Sequence, residues 1–323
     1  MNTQELVSIK NLTVRTGSHV IIKDMSLDIR EGELLGIAGE SGSGKTMLVR
    51  ALLGVLPEGV TMQAEKLSIF GEDCLKLSAK QRQRLVGANI GFVPQNTIEG
   101  LHPLLKISNQ ITEGYRSFGK GSRSEGLRLA EELLRKVGLE DTGRVLDSYP
   151  WNLSGGMRQR VNIAAALMND PRLIIADEPT TALDSAVARQ TMELLVSIAE
   201  ETGKSIVMIS HDLSMMRHYT RRIMITYAGR MMELGDTETI FKAPAHPYTR
   251  ALTRVIPVIG EERPERLPEI PGSVPELGRD TEECIFAPRC ELAGEICRNP
   301  VKLRELGGGH LCLCAKCGGD GDE

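Results

Sequence analysis

The octapeptide Gly39-Glu40-Ser41-Gly42-Ser43-Gly44-Lys45-Thr46 constrains this chain more than any other feature. It fits G-x-x-x-x-G-K-[ST] in full and follows the apolar run Leu34-Leu35-Gly36-Ile37-Ala38. Behind it, Met47, Leu48, Ala51 and Leu52 recur at helical spacing. A buried strand that passes through a glycine loop into a helix turns backbone N–H groups toward an anion at the helix start. Lys45 brings a point charge to the outer phosphates, and Thr46 offers a hydroxyl to Mg²⁺. The bland reading is a glycine-rich turn with a chance lysine; the strand–loop–helix setting argues against it.

Two further apolar runs, Leu173-Ile174-Ile175-Ala176 and Ile206-Val207-Met208-Ile209, each end in polar residues. Continuous apolar strands of this kind predict a buried parallel sheet with its chemistry at the carboxyl ends, hence an α/β fold. Leu6–Val14 and Ser26–Ile29 alternate and predict edge strands, and about 97–171 reads as mostly helical, including Arg128–Val137 and Gly155–Asn169. At the end of the second run, Asp177 is placed to hold the Mg²⁺ shell and Glu178 to polarise an attacking water. Alone, Asp177-Glu178-Pro179 could simply cap a strand end; beside a full phosphate loop the catalytic reading prevails. Leu153-Ser154-Gly155-Gly156 introduces another helix, with Ser154 as N-cap and two glycines that leave its amides open to a ligand. Two phosphate-facing helix starts so far apart in one chain predict a composite site, completed head to tail by a second chain.

A net charge of −4 gives no broad attraction for DNA or RNA, so no nucleic-acid partner is expected. The start Met1-Asn2-Thr3-Gln4-Glu5 lacks a basic and apolar leader, and no run of about 18 apolar residues occurs, so a cytosolic chain is expected. Of seven cysteines, six fall between Cys284 and Cys317. In a reducing compartment such a group points to metal more than to disulfides.

In order, the quoted motifs resemble the Walker A loop, the LSGG signature and the Walker B strand of ABC transporter ATPase subunits, over almost the whole chain. The resemblance implies a P-loop NTPase core with a helical subdomain at about 97–171, the ATPase domain covering 1–257. It also implies roles for three single residues: Gln95 as the glutamine that senses Mg²⁺ and the helical subdomain, Asp184 as the D-loop aspartate, and His211 as the switch histidine on the γ-phosphate. Taken singly, a Gln or His at a strand end is more often plain structure. The chain departs from the family in one place. The usual adenine-stacking aromatic is absent from Thr13–Val20, where only Arg15 or His19 offers a planar group.

Residues 96–107, Tyr149-Pro150-Trp151-Asn152 and 245–252 resemble the dipeptide, oligopeptide and nickel importers, the first stretch being the one that faces their transmembrane subunits. Residues 258–323, with a proline-rich connector at 261–275, resemble the small Cys-rich C-terminal extension of peptide-importer ATPases. There Cys284, Cys290, Cys297 and Cys314 correspond to ligands of a [4Fe–4S] cluster, with zinc or plain reduced cysteines as alternatives. Soft thiolates suit either metal. Cys312 and Cys317 are extra, and Cys74 reads as packing. The resemblance thus implies an ATP- and Mg²⁺-dependent ATPase on the cytoplasmic face of the membrane, powering peptide uptake. Its expected partners are a second ATPase subunit (a heterodimer), two permease subunits and an extracellular solute-binding protein. Uptake of nickel or a metal chelate is the alternative. A soluble ABC protein of translation or DNA repair fits less well, because neither a second cassette nor a coiled-coil insertion is present, and a metal or redox sensor would make the tail primary.

Overall fold

Alternating apolar positions at the N-terminus form two long strands, Glu5–Thr16 and His19–Arg30, joined through Gly17. Both exceed the expected spans; in the second the alternation is interrupted by the buried pair Ile22 and Lys23 and by Asp24, whose φ is 49°. The computed structural model describes residues 4–98, 100–181, 183–256, 269–275 and 280–317. The expected boundary at 257/258 and the connector residues 261–268 lie outside the described residues.

The chain forms two compact units. One takes Met1–Val7, Ile29–Leu34 and Ser68–Ile209. Its centre is a parallel set of strands, Ile90–Val93, Leu173–Asp177 and Ser205–Ser210, with Leu173 opposite both Ile90 and Ser205 and Asp177 opposite Ile209. Every residue of the last two strands is buried, which explains their unbroken apolar runs. The stretch after Gln95 supplies the helices Ile107–Ile111, Glu113–Ser117, Arg123–Lys136, Thr142–Asp147 and Gly155–Leu167. Ser122 and Glu125 close a capping box at the start of the longest of these, a local stop that fixes its first turn.

The other unit takes Ser8–Asp28, Leu35–Leu67 and Ser210–Glu323. Here the strand Leu34–Ala38 pairs in parallel with Arg222–Tyr227, which returns antiparallel as Arg230–Asp236. The connecting pair Ala228-Gly229 has φ of 44° and 79°, the doubly positive signature of a type I′ hairpin turn. Ala-Gly signals such a turn weakly, which is why this hairpin was not expected. The short strand Leu311–Cys312 of the cysteine segment pairs with Glu233 and Leu234, extending the sheet edge. Aliphatic residues and Met fill most of the core, but three scarce aromatics, Tyr227, Tyr248 and Phe286, meet with ring centroids 4.6–5.4 Å apart. Among the described residues no helix is long and apolar enough to cross a membrane.

Candidate nucleotide site

In the second unit, the loop between the strand Leu34–Ala38 and the helix Lys45–Leu53 is shaped by contacts only glycine permits. A Cβ on Gly39 would lie 2.1 Å from the Thr226 carbonyl oxygen, and Gly44 caps the helix with φ of 93°. Thr226 backs the loop from the neighbouring strand: its hydroxyl donates to the Ala38 carbonyl and lies 3.0 Å from the Ser43 hydroxyl. The Gly229 N–H donates to the Ser43 carbonyl, adding the hairpin turn to the same support. Lys45, 6% exposed, folds its ammonium back onto the Gly39 and Glu40 carbonyls at 2.8 and 3.0 Å. Ser41, Gly42 and Thr46 face solvent. The result is a partly solvent-facing glycine loop at a helix start, with one confined cation. Exposed His211, which directly follows the strand Ser205–Ser210, belongs to this unit as well.

Arg15 is partly exposed, and its guanidinium donates to the Asp280 carboxylate at 2.8 Å. Lys23 donates to the same carboxylate, and the two cations hold the Asp280 carboxyl down at about 2. His19 is exposed.

In the first unit, Asp177 ends its strand 2% exposed. The next residue, Glu178, has φ of 45°, a left-handed conformation uncommon for a side chain of this size. Its N–H donates to the Ile209 carbonyl, which fixes that strained backbone to the adjacent strand. Gln95 donates to the Glu178 carboxylate at 2.9 Å, and the Thr181 hydroxyl donates to the same oxygen at 2.8 Å. The sequence placed Gln95 and Glu178 in one site; that they touch, and that Thr181 joins them, emerges only from the fold. A hydroxyl three residues after a strand-end acid was the available signal for Thr181.

Ser154 accepts from the Met157 N–H and caps the helix Gly155–Leu167. A Cβ on Gly155 would meet nothing within 4 Å, and one on Gly156 would reach only Val187 at 3.5 Å. The chain's own packing therefore does not require these two glycines. Asp184 accepts from the Ala186 and Val187 amides and caps the helix Ser185–Thr202.

The cysteine segment brings its thiols together. Cys284 donates its N–H to the Cys297 carbonyl, and its thiol interacts electrostatically with Cys297 and Cys314; Cys290 interacts with Cys297 and Cys314. Burial pushes the Cys284, Cys290 and Cys314 thiols up. The Lys316 N–H donates to the Cys314 sulfur at 3.4 Å. Cys312 and Cys317 interact chiefly with each other, and burial, the first cause, raises Cys312. Among the described residues no group of three or more His, Cys, Asp or Glu side chains is disposed to hold a single metal ion. Cys312, Cys314 and Cys317 pack as one buried cluster, with Ala245 and Leu306 against it. Cys74, buried and remote in sequence, donates its thiol to the Glu72 carbonyl nearby in the chain.

Known proteins match along the whole chain. The sequence pattern of the ABC transporter family covers residues 22–181, and that of the oligopeptide/dipeptide transporter C-terminal region covers 232–297. A putative peptide import ATP-binding protein of Brucella melitensis biotype 1 is 40% identical over 318 residues, 97% of this chain and 96% of the relative. The dipeptide transport ATP-binding protein DppD of Escherichia coli K12 is 38% identical over 314 residues, 96% of each. The dimeric structure of MJ0796, a bacterial ABC transporter cassette, superposes with a TM-score of 0.63 at 33% identity, covering 72% of this chain and 98% of that one. The same cassette in a post-hydrolysis dimer with ADP and Pi gives 0.63 at 32%, with the same coverage. The chain belongs to the ABC transporter family as an ATP-binding subunit.

Proposed function

We propose that this chain hydrolyses ATP at a dimer interface to drive peptide uptake through a membrane permease. The observation that carries the reading is the glycine-only loop with its confined Lys45, together with a strained Glu178 held by Gln95 and Thr181. In this reading the amides of residues 39–46 and Lys45 bind the phosphates, while Thr46, Gln95 and Asp177 organise Mg²⁺. Glu178 polarises the attacking water, and His211 contacts the γ-phosphate. Ser154, Gly155, Gly156 and Asp184 serve the nucleotide of a second subunit. The lack of any steric cause for Gly155 and Gly156 among the described residues supports that last assignment.

Peptide as the cargo is supported by the relatives named for peptide and dipeptide transport and by the match to the oligopeptide/dipeptide C-terminal region. Docking to two permease subunits on the cytoplasmic face is supported by exposed large apolar side chains in the stretches that resemble the importers. Ile98, Leu104 and Leu105 are 56%, 73% and 39% exposed, yet Gln110 ties the loop by accepting from the His102 N–H and donating to the His102 and Leu105 carbonyls. Trp151, 56% exposed, stacks on Tyr149 at 4.7 Å in the same unit. Exposed apolar groups held in a fixed conformation mark a contact surface. We assign a different ATPase subunit as the dimer partner and an extracellular binding protein as the source of the peptide.

Cys284, Cys290, Cys297 and Cys314 are the residues that would hold a [4Fe–4S] cluster in the C-terminal extension, with zinc as the alternative. Bound there, such a group would supply a metal–thiolate cross-link between three segments of the tail.

Glu178→Gln tests the catalytic reading. Turnover is expected to fall by about 10²–10⁴, the usual contribution of a general base, while ATP binding persists. Full ATPase activity in that variant overturns the assignment. For the tail, iron, sulfide and zinc are assayed in protein purified without oxygen. Iron with sulfide supports the cluster, zinc replaces it, and neither metal removes the proposal.

A further inference from the structure

Arg289, in the cysteine segment, is among the most enclosed charged side chains of the second unit, with 6% of its side chain exposed. All three of its nitrogens are engaged. Nη1 donates to both carboxylate oxygens of Glu40, at 3.0 and 3.3 Å, and to the Tyr227 hydroxyl at 3.3 Å. Nε and Nη2 donate to the Pro271 and Ile270 carbonyls at 2.8 and 3.1 Å, and the guanidinium lies 5.7 Å from the Tyr227 ring centre. A guanidinium is a rigid fork, so five fixed acceptors determine where it presents its charge.

Its carboxylate partner is the second residue of the phosphate loop. Glu40 is held at three points: the carboxylate by Arg289, the N–H by the Tyr248 hydroxyl at 3.3 Å, and the carbonyl by the Lys45 ammonium at 3.0 Å. Glu40 therefore lies one step from the phosphate-binding cation on one side and one step from the tail on the other. Tyr248 is itself clasped between Tyr227 and Phe286, and Phe286 lies three residues before Arg289. A staple placed merely to attach the tail had many surface acids available. This one closes on the loop whose backbone carries the proposed ATP chemistry.

We propose that Arg289 is a positioning residue for the phosphate loop: acting through Glu40, it holds the loop in the conformation that receives ATP. The cysteine-bearing tail is then part of the nucleotide site and not an appendage to it. The inference rests on residues 39–46 being the phosphate loop, so the experiment separates the two. Binding of a fluorescent ATP analogue and steady-state ATPase rates are measured on the full-length chain for Lys45→Ala, Arg289→Gln, Glu40→Gln and the Arg289/Glu40 double variant. Unchanged binding in Lys45→Ala removes the loop reading itself. If Lys45→Ala loses binding, Arg289→Gln and Glu40→Gln are each expected to raise the half-saturating ATP concentration about tenfold, the scale of coupling between touching residues. The loss falls on half-saturation more than on kcat, and the double variant is no weaker than the weaker single one. Arg289→Lys, which keeps the charge without the fork, is expected between wild type and Arg289→Gln. If Arg289→Gln does not fold, Arg289→Lys and Glu40→Gln carry the same comparison. Altered melting with unchanged half-saturation, or effects that multiply in the double variant, overturns the proposal.

Discussion

The phosphate loop and the cysteine segment share one compact unit yet are specified by opposite means. The loop is fixed by backbone: Gly39 has no room for a Cβ, Gly44 needs a positive φ, and Ser43 and Gly229 exchange a main-chain hydrogen bond. The cysteine segment has little regular structure of its own and is attached by side chains. Arg289 reaches Glu40, Asp280 receives Lys23 and Arg15, and His310 meets the buried Glu233 carboxylate at 2.7 Å. Glu233 also accepts from the Ala245 and His246 amides, so one buried acid joins the sheet edge, the helix Pro247–Arg254 and the tail. Steric demands of this kind leave a local sequence pattern. Long-range polar attachments do not, because each partner is unremarkable until the fold pairs it.

The largest effect that separates the two regimes is expected at Gly39. Gly39→Ala puts a methyl against the Thr226 carbonyl, an oxygen belonging to a paired strand that cannot swing aside. Overpacking costs typically about 1–3 kcal/mol, and here the strain falls directly on the nucleotide loop. The variant should lose measurable ATP binding as well as stability in urea. Near-normal ATP affinity in a folded Gly39→Ala protein would break the claim that backbone packing specifies the loop.

That contrast accounts for what could be read in advance. The glycine loop, the buried parallel strands and the acid at the end of Leu173–Asp177 each carry their signal within a few neighbouring residues. Gln95 and Glu178 were both legible, because each sits at a strand end; their hydrogen bond was not, since 83 positions separate them. Thr226 lies in the apolar strand Arg222–Tyr227, and nothing nearby shows that its hydroxyl backs Ser43. The Asp280 partner of Arg15 was not legible either, because it lies 265 residues away. The cysteines were conspicuous as a cluster; that Cys312, Cys314 and Cys317 pack together, while the Cys284 N–H reaches the Cys297 carbonyl, depended on how the tail folds back on itself.

A smaller effect tests the attachments from the side of the body. His246 stands at the head of the helix Pro247–Arg254, 1% exposed, with its ring 6.0 Å from Phe286 of the tail. Its Nδ1 accepts from the Tyr248 N–H, and burial depresses its pKa to about 4. The unfolded chain titrates this group near the ordinary value of about 6.5. Between those two values the unfolded state binds a proton that the native state refuses, so stability falls as pH drops from about 6.5 toward 4 and is level outside that window. The gap corresponds to roughly 3.4 kcal/mol at most. His246→Asn keeps an acceptor for the helix cap and removes the titration. In urea denaturation at pH 7.5 and 4.5, the wild type is expected to lose about 2 kcal/mol more than His246→Asn on acidification. Equal losses would mean that this junction tolerates a buried charge. The tail's seat would then be looser than the phosphate loop by more than the chemistry of its attachments implies.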